Sequence, residues 1–226
     1  MKNHKLVLIR HAESLANLDL DIHLEIQDHK IPLSEYGVIQ AKSLKLNHFR
    51  DSRWYSSPYT RALQTFNLSE RNQELVVNIE PLVSERRISD YWGTSYYKLI
   101  VSEWKKRGSF WWDGVDNGYE SGAKVYERAN IFLNKINHKH FSGDNPESVV
   151  VFSHGFFMQM MRICLIGDEG IEINDKRKNP ENTEQWVFSS GDGKNWELEE
   201  EIKNGLVRMK GNPFVSHYNK CQYRNH

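Results

Sequence analysis

The chain has 226 residues, enough to bury one substantial core without requiring a second domain. Thirty acidic side chains balance thirty basic ones, so no global field draws the protein to nucleic acid or anionic lipid, and selection of a charged ligand has to be local. Seven Trp suit a packed globular fold and argue against disorder.

The N-terminus has only four consecutive apolar residues before Arg10, too few for a signal-peptide core or a membrane span. Two cysteines, Cys164 and Cys221, make a poor disulfide framework, and Cys164 sits in an apolar run as a buried small hydrophobe. The expectation is a soluble cytoplasmic protein with one domain over residues 1–226 and a loose polar tail from about 211. Association into a homo-oligomer is left open.

"KLVLIR", residues 5–10, reads as a strand buried on both faces, being short, branched and without alternation. A helix is expected over 32–49, with Ser34 as N-cap, Leu33 and Val38 as its staple, and Val38, Ala41 and Leu44 on one face. "SRWYSSP" is a second strand ending at Pro58. Thr60 then caps a helix over 61–72 that carries Arg61 in its first turn. Residues 74–83 make a third strand and 95–108 a helix, followed by an aromatic loop, "SFWWDGVDNGYE". Ser121 caps the next helix, where Val125, Ala129, Phe132, Leu133 and Ile136 trace an apolar stripe. His138, Lys139 and His140 follow as an exposed helix end. "SVVVFS" is a fourth strand, and Gly155 opens a buried helix that Gly167 stops. Residues 167–185 read as a solvated charged loop, and 186–202 as a hairpin around Gly191, Asp192 and Gly193. Strands alternating with helices imply a three-layer α/β/α sandwich on a mainly parallel sheet.

Two of these strands end alike, "LVLIRH" and "VVVFSH". In open α/β sheets ligands gather beyond the carboxyl ends of strands, so His11 and His154 meet there if their strands are parallel neighbours. Metal binding is one use for two imidazoles, with Glu13 and Asp28 available, but no HExxH or clustered Cys/His spacing accompanies them. Serine hydrolysis lacks a GxSxG elbow. Phosphoryl transfer needs a nucleophile, cations around the phosphate oxygens and an acid for the leaving oxygen; Arg10, Arg61 and the helix start after Gly155 match that set best.

"LVLIRHAESLAN" resembles the RHG-type signature of the histidine phosphatase superfamily, which includes cofactor-dependent phosphoglycerate mutases. The match covers Arg10, His11, Glu13, Ser14 and Asn17, with Ala12 where the family often has glycine. "SSPYTRALQT" is similar to its arginine motif and "VVVFSHGFF" to its second histidine motif. "NGYESGAKVYER" resembles the segment before that histidine, with Tyr119 as an extra residue and Lys124 in place of an acid.

The resemblance implies a phosphoglycerate mutase-like fold and His11 as a nucleophile forming a phosphohistidine. It also implies Arg10, Arg61, His154 and Asn17 around the phosphoryl oxygens, with no metal and no cofactor. The proton donor it implies is Glu85, at the start of "ERRISDYWG", although Ser89 stands where an inner glycine is usual; Asp90 is the alternative. "ERRIS" departs from the mutases' ERHYG-like stretch. The expected activity is therefore hydrolysis of small phosphate monoesters of a phosphorylated metabolite, ahead of mutase-type transfer; a third reading is a catalytically idle binding module. Arg86, Arg87 and Lys30 are read as surface charge with an option on a second anionic group, and Trp111 and Trp112 as packing with an option on a lid.

Overall fold

A computed structural model describes residues 3–70, 75–89, 91–107, 120–143, 147–167 and 180–204. In chain order the elements are β1 (His4–Arg10), α1 (Leu15–Leu18), α2 (Glu35–Ser43), β2 (Arg53–Ser56), α3 (Thr60–Leu68), β3 (Val77–Ile79), α4 (Thr94–Arg107), α5 (Gly122–Ile136), β4 (Ser148–Ser153), α6 (Gly155–Ile166), β5 (Gln185–Ser190) and β6 (Glu197–Ile202). The six strands lie in the order β3-β2-β4-β1-β5-β6. The first four of that order are mutually parallel, and β5 runs antiparallel to both β1 and β6.

Burial on both faces explains why β1 lacks alternation. Leu6 and Leu8 point into one core with Val149, Val151, Phe132 and Phe157, under α5 and α6. Val7 and Ile9 point into the opposite core with Val150, Phe152, Trp54 and Phe66, under α3. The sheet is thus the middle of three layers, as the sequence implies. The stripe expected on α5 is buried throughout, and Ser121 Oγ accepts the Lys124 N–H as its cap. Gly167 ends α6 at φ 78°, a left-handed stop that suits glycine.

Several local expectations are corrected. The helix from Ser34 stops at Ser43 instead of running to residue 49. Leu44 turns extended because residues 44–46 exchange backbone hydrogen bonds with Glu70, at 2.8 and 3.2 Å. Tyr59, not Thr60, precedes the first turn of α3, and that helix closes at Leu68. The third strand keeps only three residues and lies at the sheet edge, where Val76 and Ile79 are exposed. His140 is buried, its Nε2 2.9 Å from Tyr55 Oη, so only His138 and Lys139 form an exposed end. Cys164 is half-buried with its thiol pushed up to about 12 by desolvation. Cys221 and the tail from 211 lie outside the described residues. Among the described residues no helix is long and apolar enough to cross a membrane.

The chain leaving β1 turns toward the α2 and α3 side, whereas the chain leaving β4 enters α6 on the other face. The carboxyl ends of these neighbouring strands therefore flank a crevice. Helix α2 fixes the near wall. Ser34 Oγ caps it through Gly37 N and donates to Glu13 Oε1, while Gln40 Oε1 accepts the Glu13 N–H. Gly37 is packed so closely that a Cβ there would lie 1.9 Å from the Glu13 carbonyl oxygen. Gly37→Ala is expected to destabilise the fold at the upper end of the roughly 1–3 kcal/mol that overpacking costs. Urea denaturation measures this, and an unchanged midpoint would mean that α2 does not press on residue 13.

Candidate active site

The parallel register sets Arg10 opposite Ser153, and the His11 N–H donates to the Ser153 carbonyl at 2.9 Å. One residue beyond each strand, the rings of His11 and His154 stand 5.1 Å apart, both buried. A cavity of about 270 Å³ opens beside them, lined by Arg10, His11, Asn17, Asp28, Arg61, Glu85, Arg86 and Gly155 among others. His154 is not part of that lining; it lies behind His11, between it and Tyr59, whose ring is 5.0 Å away.

Each imidazole has a defined partner. His11 Nδ1 is 2.7 Å from the Ala12 carbonyl oxygen. A carbonyl only accepts, so Nδ1 carries the proton and Nε2 keeps its lone pair. His154 Nε2 lies 2.8 Å from Ser57 Oγ, while its buried Nδ1 has no hydrogen-bond partner among the described residues. Both histidines are held well below the ordinary imidazole pKa, first by desolvation and next by the nearby Arg61 guanidinium. They are neutral at physiological pH.

The two expected guanidiniums are both present and both aimed by backbone oxygens. Arg61 Nη1 donates to the Asp28 carbonyl at 2.7 Å and to Asp28 Oδ1 at 3.0 Å. Arg10 Nη1 donates to the Pro180 carbonyl, and its buried Nε has no partner among the described residues. The start of α6 packs against Arg10, Gly155 lying beside its guanidinium with room for ordinary contact. Asn17 Oδ1 accepts from Ser14 N, Ser14 Oγ and Asn182 Nδ2. With the oxygen so committed, what Asn17 can offer the cavity is its amide donor.

Glu85 follows the 3-10 turn Pro81–Val83. Its carboxyl accepts from Arg86 N at 2.8 Å and, more weakly, from Phe156 N at 3.4 Å in the first turn of α6. Desolvation raises its pKa, against the lowering effects of the Arg86 N–H and of Arg61 and Arg10. A carboxyl held partly toward its acid form in the same cavity as His11 is suited to proton donation. Asp90 lies outside the described residues, as does the loop with Trp111 and Trp112.

Arg86 is not surface charge: it is buried, lines the cavity, and donates Nε to the Glu120 carbonyl at 2.8 Å. Arg87 and Lys30 are exposed and do not line the cavity. The Glu13 and Asp28 pair weighed for metal is not assembled: Glu13 faces Ser34, and Asp28 is ion-paired with Arg61. No cluster of three or more His, Cys, Asp or Glu that could hold a metal occurs among the described residues.

Sequence reading missed much of the supporting cast. Thr65 Oγ1 accepts the Ala12 N–H at 3.0 Å from α3. Residues 180–184, read as solvated loop, clasp the end of β1: Asn182 Nδ2 donates to the His11 carbonyl, and Thr183 N to that of Arg10. Thr183 is held at φ 64°, costly for a β-branched residue, and the surrounding bonds enforce it. Ser57 was visible in "SSPYTR" but had no assigned partner. The roles of Asp28 and Asn182 depend on contacts remote in sequence and left no local signal.

The family model for the Histidine phosphatase superfamily (branch 1) matches residues 6–201. Phosphoserine phosphatase 1 of Hydrogenobacter thermophilus is 30% identical over 72% of this chain and 76% of its own. Phosphoglycerate mutase-like protein AT74 of Arabidopsis thaliana is 25% identical over 86% of this chain, which spans 67% of that protein's length. In fold, the chain is similar to a phosphoserine phosphatase from Entamoeba histolytica in complex with phosphoserine. The TM-score is 0.66 at 21% identity, covering 89% of this chain and 98% of that one.

His23 gives the site a pH signature. It is buried against Trp92, with ring centroids 3.9 Å apart, and desolvation lowers its pKa to about 4. Unfolded, it takes up a proton below about pH 6.5, so its burial costs stability as pH falls from there toward 4. His23→Phe, which keeps a ring on Trp92, is expected to shrink the drop in Tm between pH 7 and pH 5. An identical drop in the variant would mean that His23 is not held neutral.

Proposed function

The chain belongs to the histidine phosphatase superfamily, and we propose that it is a phosphatase hydrolysing small phosphate monoesters through a phosphohistidine on His11. The observation that carries this reading is the state of His11: buried, neutral, pinned through Nδ1, and sharing one cavity with Arg10, Arg61 and Glu85.

His11 Nε2 attacks phosphorus, forming the P–N bond as the ester P–O bond breaks. Glu85 gives its proton to the departing alkoxide oxygen and becomes a carboxylate. That carboxylate then takes a proton from water, whose oxygen attacks phosphorus and breaks the P–N bond. Inorganic phosphate leaves, with His11 neutral and Glu85 protonated again. Arg10 and Arg61 hold the phosphoryl oxygens, with the Asn17 amide as a further donor; fixed guanidinium forks suit a dianion better than flexible ammonium groups. His154, whose Nε2 meets Ser57 Oγ, packs behind the His11 ring and outside the cavity wall. The scheme needs no metal, because these donors supply the charge that a Lewis acid otherwise would.

Mutase chemistry differs only in the acceptor, a second hydroxyl in place of water. Phosphatase is favoured by the 30% identical phosphoserine phosphatase and by the departure of "ERRIS" from the mutase pattern. A panel of phosphorylated metabolites, run with and without 2,3-bisphosphoglycerate, separates the readings. Hydrolysis that needs no priming and survives EDTA is expected. Interconversion of phosphoglycerates only after priming would make the protein a mutase, and no turnover at any pH would make it a binding module.

His11→Ala is expected to abolish turnover, and near-normal activity in that variant rules the nucleophile out. Arg61→Ala should cost roughly 2–4 kcal/mol of transition-state stabilisation, by analogy with removing one preorganised donor; a rate loss below tenfold would place Arg61 outside the pocket. Glu85→Gln should slow alkyl esters far more than activated aryl phosphates, because only the former need a proton. Equal slowing of both would assign the donor elsewhere.

A further inference from the structure

The cavity holds more than a phosphoryl group fills. Beyond Arg10, His11, Asn17 and Arg61, its described wall includes Leu20, His23, Ile88, Trp92, Tyr97 and Phe156. Trp92 lies flat on His23, the planes inclined by 19°, and Tyr97 stands 5.6 Å from Trp92. The Arg86 guanidinium stands 4.8 Å from the Phe156 ring. These are aromatic side chains held by their neighbours, and His23 adds no charge because burial keeps it neutral.

The formal charges on the wall point the same way. Among the described residues the lining carries three guanidiniums, Arg10, Arg61 and Arg86, and two carboxyls, Asp28 and Glu85. With Glu85 protonated, as the donor role requires, two positive charges remain after Asp28 is counted. A phosphoryl dianion cancels both. A second anionic group on the substrate would leave one negative charge uncompensated in a partly desolvated site, which is unfavourable.

We propose that the wall built from Trp92, Phe156, Tyr97 and Ile88 is a leaving-group subsite that selects monoesters of uncharged, flat apolar or aromatic alcohols over those of carboxylate-bearing alcohols. This rests on the reading of the cavity as a phosphoryl site. The preference comes from burying a ring against fixed aromatic faces and from a charge set already satisfied by the dianion. Esters such as phosphoserine or phosphoglycerate, whose second charge finds no cation left over among the described lining residues, are disfavoured.

Calorimetric binding of three non-hydrolysable phosphonates tests this without depending on turnover. They are ethylphosphonate, 2-phenylethylphosphonate and 2-carboxyethylphosphonate. The phenyl compound is expected to bind the wild-type protein at least about tenfold tighter than the ethyl compound, a difference of about 1.4 kcal/mol. The carboxylate is expected to bring no gain. In Trp92→Ala, and separately in Phe156→Ala, the phenyl-to-ethyl ratio is expected to fall below about threefold, on the same scale. Because each variant is read as a ratio, misfolding of one leaves the other decisive. A carboxylate that binds as tightly as the phenyl group, or a ratio unchanged in both variants, overturns the subsite while the phosphoryl site stands. Failure of all three phosphonates to bind overturns both.

Discussion

Between β1 and β4 the pairing is locked by side chains buried on both sides of the sheet, and the site depends on that lock. Val7 and Ile9 with Val150 and Phe152 fill one core, and Leu6 and Leu8 with Val149 and Val151 fill the other. A slip of one residue would exchange the two sets between differently shaped cores. With the register held, Arg10 and Ser153 are level, and the next residue on each strand is a histidine. Neither strand alone makes a site. Placed side by side, with their onward chains departing to opposite faces, they set His11 in the wall of a crevice with His154 packed behind it.

Burial then does chemical work. Removing the imidazoles from water and surrounding them with guanidiniums disfavours the imidazolium form, which keeps a nitrogen lone pair available where a protonated ring would have none. The same desolvation acts on Glu85 in the opposite sense and favours its proton. One low-dielectric environment thereby prepares a base form of histidine and an acid form of glutamate. Arginine is the cation that tolerates such a place, since it remains charged even where burial lowers its pKa, as at Arg86 to about 10. Asp28 limits the cationic charge and fixes the direction of Arg61 at once.

How much of this was legible follows from how local each cause is. The strands and the α5 stripe were readable because their periodicity and branched residues report burial directly, and Ser34 and Ser121 because caps act over three residues. The positions of Arg10, His11, Arg61 and His154 followed from strand and helix ends, and Glu85 and Asn17 from resemblance; five of them line one cavity, and His154 packs against His11 behind it. What escaped was decided between distant segments. Helix α2 is cut short by pairing with Glu70, and β3 shrinks because the edge offers it one neighbour. Arg86 looked like surface charge because a sequence does not show that Glu120 and Phe156 enclose it. The strained Thr183 and the clasp around it lie in a polar stretch that composition assigns to solvent.

The central claim is chemical: the Ala12 carbonyl, by holding the Nδ1 proton of His11, makes Nε2 the atom that receives phosphorus. The direct measurement is to mix the enzyme with a chromogenic aryl phosphate, quench during turnover into alkali where phosphohistidine survives, and locate the phosphoryl group by mass spectrometry and 31P NMR. The expected result is phosphate on His11, bonded to Nε2. Phosphate on Nδ1, on another residue, or on no residue during undiminished turnover would contradict the account.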